Sequence, residues 1–325
     1  MKIGPSKDAA SKLEDSSDFI NSEIQYSYTN FSNVDHRIKL HIILNIVEHE
    51  NKELALLLRA EILTQTSTNT FPGCLVLSTA KVYILKIIGS EGENPQRWLH
   101  KESSWTIDRL RSFAPLPFKQ GVLVELDQPN KFYEQVTNNV ILCILQDFQR
   151  TSNVLFYLTD SPLPASCEVE FTVPQFCNTL IRDTLKSSKI FSTNEPVIML
   201  ALFSSCIIKF SNQTINLNVS SFIITSSSLT ILKDQMHWLL PKSNQIPTII
   251  IEQGMSNLIE VDFCETSLNL NFLDEVAGIE VNWIINFVSS SAVEAVINSV
   301  RPSWEDLFSV PLQINITTNL SNNKT

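Results

Sequence analysis

The alternation of apolar and polar positions repeats along this chain. Leu75–Lys86 (LVLSTAKVYILK) and Phe222–Lys233 (FIITSSSLTILK) lie 147 residues apart, and each has two apolar runs around a short polar turn. β-Branched and aromatic residues on both sides of a Ser/Thr-rich turn are typical of a β-hairpin. The match between the two segments needs no gap, which indicates an internal repeat. We therefore predict two structural copies, each containing this hairpin.

Short apolar segments downstream of each hairpin extend the repeat and are interpreted as strands. They are Trp105–Phe113 and Val122–Leu126 in the first copy, and Asn257–Phe263 and Leu268–Phe272 in the second. Two further runs, Val140–Leu145 and Val154–Leu158, follow in the first copy, whereas only Val281–Val288 follows in the second. The second copy is therefore predicted to be shorter, because one strand has been lost or merged.

Each copy is predicted to end on a helix. In the second copy Ser291 and Glu294 have the spacing of a capping box. Apolar residues then recur at steps of three and four: Val293, Val296, Ile297, Val300, Trp304, Leu307 and Phe308. Because Pro302 removes a backbone donor within this stretch, we expect a kink or two short helices.

Weaker patterns predict three more elements in the first copy. A stripe of apolar residues after Pro174 indicates a closing helix: Phe176, Leu180, Ile181 and Leu185. A preceding helix is expected at Val34–Glu48, where apolar residues keep helical spacing. Alternation from Leu54 to Ile62 indicates an opening strand.

Several short strands followed by one amphipathic helix, occurring twice, define the predicted fold class. It is α+β and mainly β, with two tandem pleckstrin-homology-like, partly open β-barrels, each closed by a C-terminal helix. A chain of 325 residues is long enough for two domains of ordinary size. The predicted organisation is a disordered N-terminal segment (1–37), a first domain with its preceding helix (38–190), a second domain (191–312) and a disordered tail (313–325).

The same segments resemble a known family. The pattern GCLVLSTAKVYILK, SSWTIDRLRSF, GVLVEL, NVLFYLTD and RPSWEDLF, over roughly residues 38–312, is similar to the carboxy-terminal region of the nischarin and serine/threonine kinase 11-interacting protein family. The resemblance implies a cytosolic scaffold whose partners are proteins: small GTPases, kinases or integrin tails, on endosomal membranes. Family members carry leucine-rich repeats before this region, and this chain has none. We therefore expect a carboxy-terminal part of such a protein or a truncated relative, without the repeat-borne activities.

Charge and cysteine usage narrow the class of protein. The formal net charge is −10, and no cluster of Lys and Arg is present, which argues against nucleic-acid binding and against electrostatic anchoring to membranes. The start of the chain lacks the apolar stretch of a secretory signal, and no run of 18 or more apolar residues follows. Six cysteines without C-x-x-C spacing suit reduced thiols. We expect a cytoplasmic protein without a membrane span, recruited to endosomal or lysosomal membranes through partners.

Signatures of catalysis are missing from the sequence. No G-x-G-x-x-G, G-x-x-x-x-G-K-[ST] or G-x-S-x-G pattern occurs, and no pair of histidines has the i, i+4 spacing of metal ligands. We interpret the histidines of the predicted first helix as solvated surface residues. The chain is predicted not to be an enzyme and to have no catalytic residues, cofactor or metal.

Phosphoinositide binding is the alternative function for this fold. It requires several Lys or Arg in the first two strands and their loop, to meet the phosphates of the headgroup. The first copy has only Arg59 in Leu54–Leu77, and the second has only Lys209 in Val197–Ile224. Phosphoinositide is therefore an unfavoured ligand, and protein binding is preferred.

Two clusters of aromatic and cationic residues are candidate protein-interaction sites. Trp98 and Trp105 lie in a segment interpreted as a long insertion between strands, and Arg109 and Arg111 follow on the next strand. Trp238, in the loop after the second hairpin, is the other candidate. Trp and Arg are enriched at interface hot spots. The alternative is that the tryptophans cap the cores of the barrels while the cations are solvated.

Overall fold

A computed structural model describes residues 34–47, 53–90, 92–128, 137–145, 148–179, 181, 195–233, 236–240, 247–274 and 278–317. Most of the predicted N-terminal segment and the end of the tail lie outside these residues. Two corrections concern the parts that are described. Residues 36 and 37 already belong to a helix, and residues 314–316 form a strand, so neither stretch is a disordered terminus.

In its described residues the N-terminal half (34–181) has helical residues 175–179 and 181 near its end and, before them, two helices and eight strands. They are α1 (His36–His41, continued by a π-helical turn Ile42–Ile46), β1 (Leu54–Thr64), β2 (Phe71–Ser78), β3 (Lys81–Ile87), β4 (Leu99–Thr106), β5 (Leu110–Pro115), β6 (Gly121–Gln128), β7 (Thr137–Ile144), α2 (Phe148–Thr159) and β8 (Glu168–Val169). The strands form one open sheet in the order β4-β3-β2-β1-β7-β6-β5-β8.

The C-terminal half, residues 195–317, contains ten strands and one helix in its described residues. They are β9 (Met199–Phe203), β10 (Ser205–Lys209), β11 (Thr214–Leu217), β12 (Ser220–Ile224), β13 (Ser228–Lys233), β14 (Thr248–Gly254), β15 (Leu258–Cys264), β16 (Ser267–Asp274), β17 (Ile279–Asn286), α3 (Ser290–Phe308) and β18 (Ile314–Ile316). Two open sheets result, in the orders β11-β10-β17-β16-β15-β18 and β14-β13-β12-β9.

The two halves repeat one order of elements. Both predicted hairpins are confirmed, as the antiparallel pairs β2–β3 and β12–β13. β9 and β10 flank the single residue Ser204 and together correspond to β1, while β11 and β12 together correspond to β2. In each half a helix follows the last antiparallel strand. A short strand after that helix then pairs in parallel with β5 in one half and with β15 in the other.

The predicted strand Val154–Leu158 is wrong, because these residues lie in α2. Val154, Leu155 and Leu158 are buried, whereas Phe156 is 62% exposed, and a strand would have placed Val154, Phe156 and Leu158 on one face. The expectation that the second copy has lost a strand fails for the same reason, since β7 and β17 are each the last antiparallel strand before a helix. Of the stripe that predicts a closing helix, Phe176 and Ile181 are helical, and Leu180 and Leu185 lie outside the described residues.

The helix of the C-terminal half is continuous. α3 contains Pro302 without being divided, which corrects the alternative of two short helices, and a kink at Pro302 stays a prediction. Its N-cap is Ser289, whose side chain accepts a hydrogen bond from the backbone N–H of Ala292, so the predicted cap at Ser291 is two residues too late. Five residues of the predicted stripe are buried, Val293, Val296, Ile297, Val300 and Trp304, whereas Leu307 and Phe308 at its end are exposed and correct the expectation that this whole face is covered. Trp304 Nε1 donates to the carbonyl of Leu258 at 2.7 Å and ties α3 to the start of β15.

Each half has its own core, a third core lies between them, and a fourth apolar cluster lies beneath α1. One apolar cluster fills the N-terminal half beneath α2, and another fills the C-terminal half beneath α3. The shared core joins Leu63, Leu123 and Leu142 of the first half to residues of the second half such as Leu202 and Trp238. The strands that meet there are buried on both faces. The chain is therefore mainly β, with few helices, several open sheets and a continuous apolar interior.

Polar groups also join the halves. Gln120 is fully buried, and its Oε1 accepts a hydrogen bond from the backbone N–H of Leu202 at 3.0 Å. The turn before it places Phe118 in the left-handed region, with a φ of 55°, and Phe118 packs against both the shared core and the core of the second half. A non-glycine residue held in this region is strained, so the surrounding packing must determine its conformation.

Candidate protein-interaction surface

Two of the five predicted interaction residues lie in cores. Trp98 is 2% exposed, donates from Nε1 to the carbonyl of Gly92 at 2.9 Å, and packs in a cluster beneath α1. Trp238 is also 2% exposed and belongs to the shared core. The expectation that these side chains are exposed is therefore wrong, and the alternative that tryptophans cap cores describes both.

The other three predicted residues lie close together along the chain, at a corner of the sheet. Trp105 is in β4, Arg109 ends a 3-10 turn, and Arg111 is in β5. All three are partly exposed, and Trp105 packs its inner side against the core of the N-terminal half. We call Trp105, Arg109 and Arg111 the β4–β5 corner. Residues 99–106 form strand β4, so the predicted insertion is limited to the segment before Trp98.

Charges at the β4–β5 corner alternate in sign. Arg111 forms an ion pair with Asp127 of β6. Beside Arg109, a hydrogen bond with the side chain of Thr106 holds the pKa of Asp108 below its usual value. A carboxylate therefore lies beside each arginine. The corner offers an aromatic edge flanked by charges of both signs, which suits a mixed polar and apolar protein surface.

A phosphoinositide, the alternative ligand, would require several cations in the connection between the first two strands of each half. Residues 65–70 link β1 and β2 and contain no Lys or Arg, and the corresponding turn, 210–213, contains none either. Arg59 lies in the middle of β1, opposite Cys74, and Lys209 ends β10. Each half thus brings a single cation from these strands.

A cavity of about 350 Å³ on the C-terminal half is lined by residues that include Lys209, Glu260 and Asn282. Glu260 already accepts hydrogen bonds from Asn315 at 2.6 Å and from Asn271 at 3.3 Å. A carboxylate held by two amide donors is fixed as an acceptor. The cavity is therefore a polar, hydrogen-bonding groove on the outer face of the sheet.

Reactive side chains and metal ligands can be assessed for the described part of the chain. Among these residues, no group of three or more His, Cys, Asp or Glu could hold a metal ion. Burial raises the pKa of Cys143 and of Cys206 to about 12, so these thiols are protonated at neutral pH and are poor nucleophiles. His41 is buried, with Nε2 2.8 Å from the carbonyl of Leu99, and is not the solvated residue expected from sequence.

Exposed apolar side chains are a feature that the sequence did not reveal. Phe156 of α2 and Phe171 are both exposed, and their ring centroids are 4.9 Å apart. Leu44 projects from the helical region at the start of the chain, and Phe308 from the end of α3. One sequence signal could have indicated an exposed residue in α2. Its run of consecutive apolar residues is longer than one side of a helix can bury. No described helix is long and apolar enough to span a bilayer.

Comparison with known proteins supports part of the predicted resemblance. Residues 206–317 match the family described as "STK11-interacting protein, C-terminal PH domain". The serine/threonine-protein kinase 11-interacting protein of Mus musculus is 23% identical over 310 residues, which cover 87% of this chain and 27% of that protein. The Homo sapiens protein of the same name is 23% identical over 313 residues, covering 86% of this chain and 27% of that protein. The chain thus spans about a quarter of the length of these relatives.

A pleckstrin-homology-like domain is therefore present in the C-terminal half. The similarity to kinase-interacting proteins confirms one part of the predicted resemblance, while its extension to nischarin stays a prediction. Among solved structures, the hSac2 domain from human phosphoinositide phosphatase Sac2 is 10% identical and covers 46% of this chain and 94% of that chain, with a TM-score of 0.27. A similarity of that size supports no inference about fold or ligand.

Proposed function

We propose that this chain is a non-enzymatic adaptor in which two tandem pleckstrin-homology-like domains, 38–190 and 191–312, bind other proteins. The observation that carries the proposal is the shortage of cations between the first two strands of both halves, at residues 65–70 and 210–213. Recognition of a multiply phosphorylated headgroup needs several Lys or Arg converging on one point. Protein binding does not have that requirement.

The charge around the two nearby cations also supports a protein partner. Burial raises the pKa of Glu61, which lies two residues from Arg59 on the same strand, and the charge of Arg59 partly opposes this effect. Lys209 shares its cavity with Glu260 and Glu280. In both halves the potential at the single cation is offset by carboxylates, so a polyanionic headgroup would meet repulsion.

The relatives guide the choice of partner. Both are named for interaction with a serine/threonine kinase, and we propose a kinase of this class as the first candidate partner. Small GTPases and integrin tails, which the family resemblance implies, are the second and third candidates. Recruitment of a cytoplasmic adaptor to endosomal or lysosomal membranes would then follow from these partners.

The β4–β5 corner is the proposed contact surface. Trp105 offers a half-buried aromatic ring, and Arg109 and Arg111 offer planar donors, a combination found at interface hot spots. Trp98 and Trp238 are not part of this surface, because both are buried in other apolar clusters. Partner binding should therefore depend on Trp105 and Arg109, in variants that circular dichroism shows to be folded.

Binding of purified chain to purified serine/threonine kinase 11, to a small GTPase in its GDP- and GTP-loaded forms, and to an integrin tail peptide tests the proposal by calorimetry. The double variant Trp105→Ala with Arg109→Ala should lower the affinity for the partner at least tenfold. The matched control is Phe308→Ala with Arg301→Ala, an exposed aromatic and an exposed arginine on α3. Binding to none of the three, or equal loss in the control, contradicts the proposal.

Flotation with vesicles tests the alternative. Vesicles of phosphatidylcholine containing 5% of a phosphatidylinositol bisphosphate should recruit the chain no better than phosphatidylcholine alone. Recruitment that depends on the phosphoinositide and disappears in Lys209→Glu would favour a lipid-binding module over the adaptor.

A further inference from the structure

We infer that the free edge of β14 is a strand-addition site for an extended, basic segment of a partner protein. The inference deepens the proposed adaptor function and rests on it, because it assigns a second surface and the chemistry of its ligand. β14 is the last strand in the order β14-β13-β12-β9, so one of its sides is unpaired among the described residues. An edge of this kind is a template for another strand.

An internal comparison isolates what is unusual about β14. In the N-terminal half the strand in the same position is β4, which lies at the end of its sheet and pairs with β3. Each of the two edge strands has one register irregularity. Glu102 is skipped where β4 pairs with β3, and Ile250 is skipped where β14 pairs with β13. Both edge strands therefore have the same kind of backbone bulge, and they differ in their side chains.

The side chains protect one edge only. β4 carries exposed Lys101 and Glu102 at its bulge, and charges at an edge discourage the addition of a strand because a partner would have to desolvate them. β14 has Ile249, Ile250 and Ile251 at the corresponding positions, all partly exposed. Its single charge is Glu252. The bulge is thus the only protection that β14 shares with β4.

The outward backbone groups of β14 are available for pairing. Besides the ladder with β13, no backbone hydrogen bond to residues 248–254 is formed within the described part of the chain, and the next bond runs from the N–H of Met255 to Ser227. The regular stretch Ile251–Gly254 lies beyond the bulge. An added strand can align there, where the ladder keeps its register.

Charge and side-chain chemistry define the occupant. The partly exposed isoleucines favour apolar residues in an added strand, and Glu252 favours Lys or Arg opposite it, because opposite charges on facing strands stabilise a pair. A second copy of the chain would bring its own Glu252 and a net charge of −10, so long-range repulsion opposes self-association. A basic extended segment of another protein has neither disadvantage.

The probe is an eight-residue peptide of alternating valine and lysine with blocked ends, added to the full chain. Bound peptide should slow hydrogen exchange of the backbone amides in 248–254 at least tenfold and leave 99–106 unchanged. Two matched peptides serve as controls. One has the same sequence with N-methyl groups on alternate residues, which removes the donors, and the other replaces lysine by glutamate. Neither should protect β14.

Two variants locate the site. The double variant Ile249→Lys with Ile250→Glu gives β14 the charges of β4. It should lower the affinity for the valine–lysine peptide at least tenfold. Because both isoleucines pack partly against the cores, this variant can lose stability, and Glu252→Lys is the second test. Glu252 is exposed, so its replacement should leave the fold intact, weaken the valine–lysine peptide about fivefold and favour the valine–glutamate peptide.

Three results would overturn the inference. They are equal protection of β4 and β14, peptide binding that is unaffected by Glu252→Lys, and dimerisation through β14 seen in light scattering at micromolar concentration, which would make a second copy the occupant. If the β14 variants still bind the kinase, the proposed adaptor function stands without the strand site. If the chain does not bind the kinase but the peptide still protects residues 248–254, the kinase is rejected as a partner and the strand-addition site stands.

Discussion

Tryptophan residues in this chain differ in environment more than in sequence context. Trp98 follows a polar Pro-Gln-Arg turn and is nonetheless buried, because α1 covers it from the far side of the sheet. Trp105, seven residues later and roughly 23 Å further along an extended chain, is partly exposed. A local window contains no information about which of the two is covered by a distant helix.

Trp98→Ala is expected to lower the free energy of unfolding by about 3–5 kcal/mol, because it removes a buried ring and leaves a cavity. It also leaves the carbonyl of Gly92 without its indole donor. Trp105→Ala should cost at most about half as much, since its ring is partly exposed. Urea denaturation followed by circular dichroism measures both. Equal losses would show that Trp105 is as much a core residue as Trp98.

A buried histidine makes stability depend on pH. His237 is buried in the C-terminal half, and its Nε2 has no hydrogen-bond partner among the described residues. Burial lowers the pKa of His237, and a hydrogen bond with the backbone of Ser67, in the other half, opposes this effect. The folded state therefore binds a proton less readily than the unfolded state.

The free energy of unfolding should fall as pH falls below about 6.5, where the unfolded chain takes up a proton that the folded chain refuses. The slope from His237 alone reaches at most about 1.4 kcal/mol per pH unit. Above pH 7 the contribution is complete and constant. His237→Gln should flatten the slope between pH 7 and 5.5 in urea denaturation. A slope that is identical in this variant would show that the histidine is not responsible.

Elements with a local signal were predictable, and those that depend on a neighbour were not. The β2–β3 and β12–β13 hairpins follow from alternating residues around a short polar turn. In α2, by contrast, the run Val154–Leu158 is apolar throughout, so periodicity could not separate helix from strand. β14 was missed because the run Thr-Ile-Ile-Ile does not alternate, which is the property that makes its edge unusual.

Pro302 lies inside α3 at an exposed position, where it removes one backbone donor. A proline inside a helix lowers the free energy of unfolding by about 3 kcal/mol. Because proline also restricts the unfolded chain, it raises the free energy of unfolding by about 1 kcal/mol. Pro302→Ala should therefore raise the free energy of unfolding by about 2 kcal/mol. Pro311, exposed and outside any helix, is the matched control, and Pro311→Ala should give no gain. A neutral Pro302→Ala would indicate that α3 has already adapted to the proline.

The whole molecule is joined by faces that the sequence assigns to no single domain. Adjacent residues of β6 point into different cores, with Leu123 in the shared core and Val124 in the core of the N-terminal half. Two-sided burial makes the stretch 122–124 of β6 continuously apolar, which hides the alternation that marks an outer face. Sequence patterns could therefore predict the repeat, but the contact between halves and the burial of Trp238 depend on tertiary packing.

Substitutions of Leu123 and Val124 distinguish the contribution of the shared core to stability from that of the N-terminal core. Leu123→Ala removes apolar contact from the shared core and should lower the free energy of opening by about 2–5 kcal/mol in both halves. Val124→Ala disturbs the N-terminal core, so opening of the C-terminal half alone should be unaffected. Hydrogen exchange of β16, deep in the C-terminal half, distinguishes the two. Protection of β16 that is lost in Leu123→Ala and kept in Val124→Ala would mean that each half is stabilised by the other. Unchanged protection in both variants would mean that the halves are stable independently, and that the shared core orients the two surfaces without stabilising them.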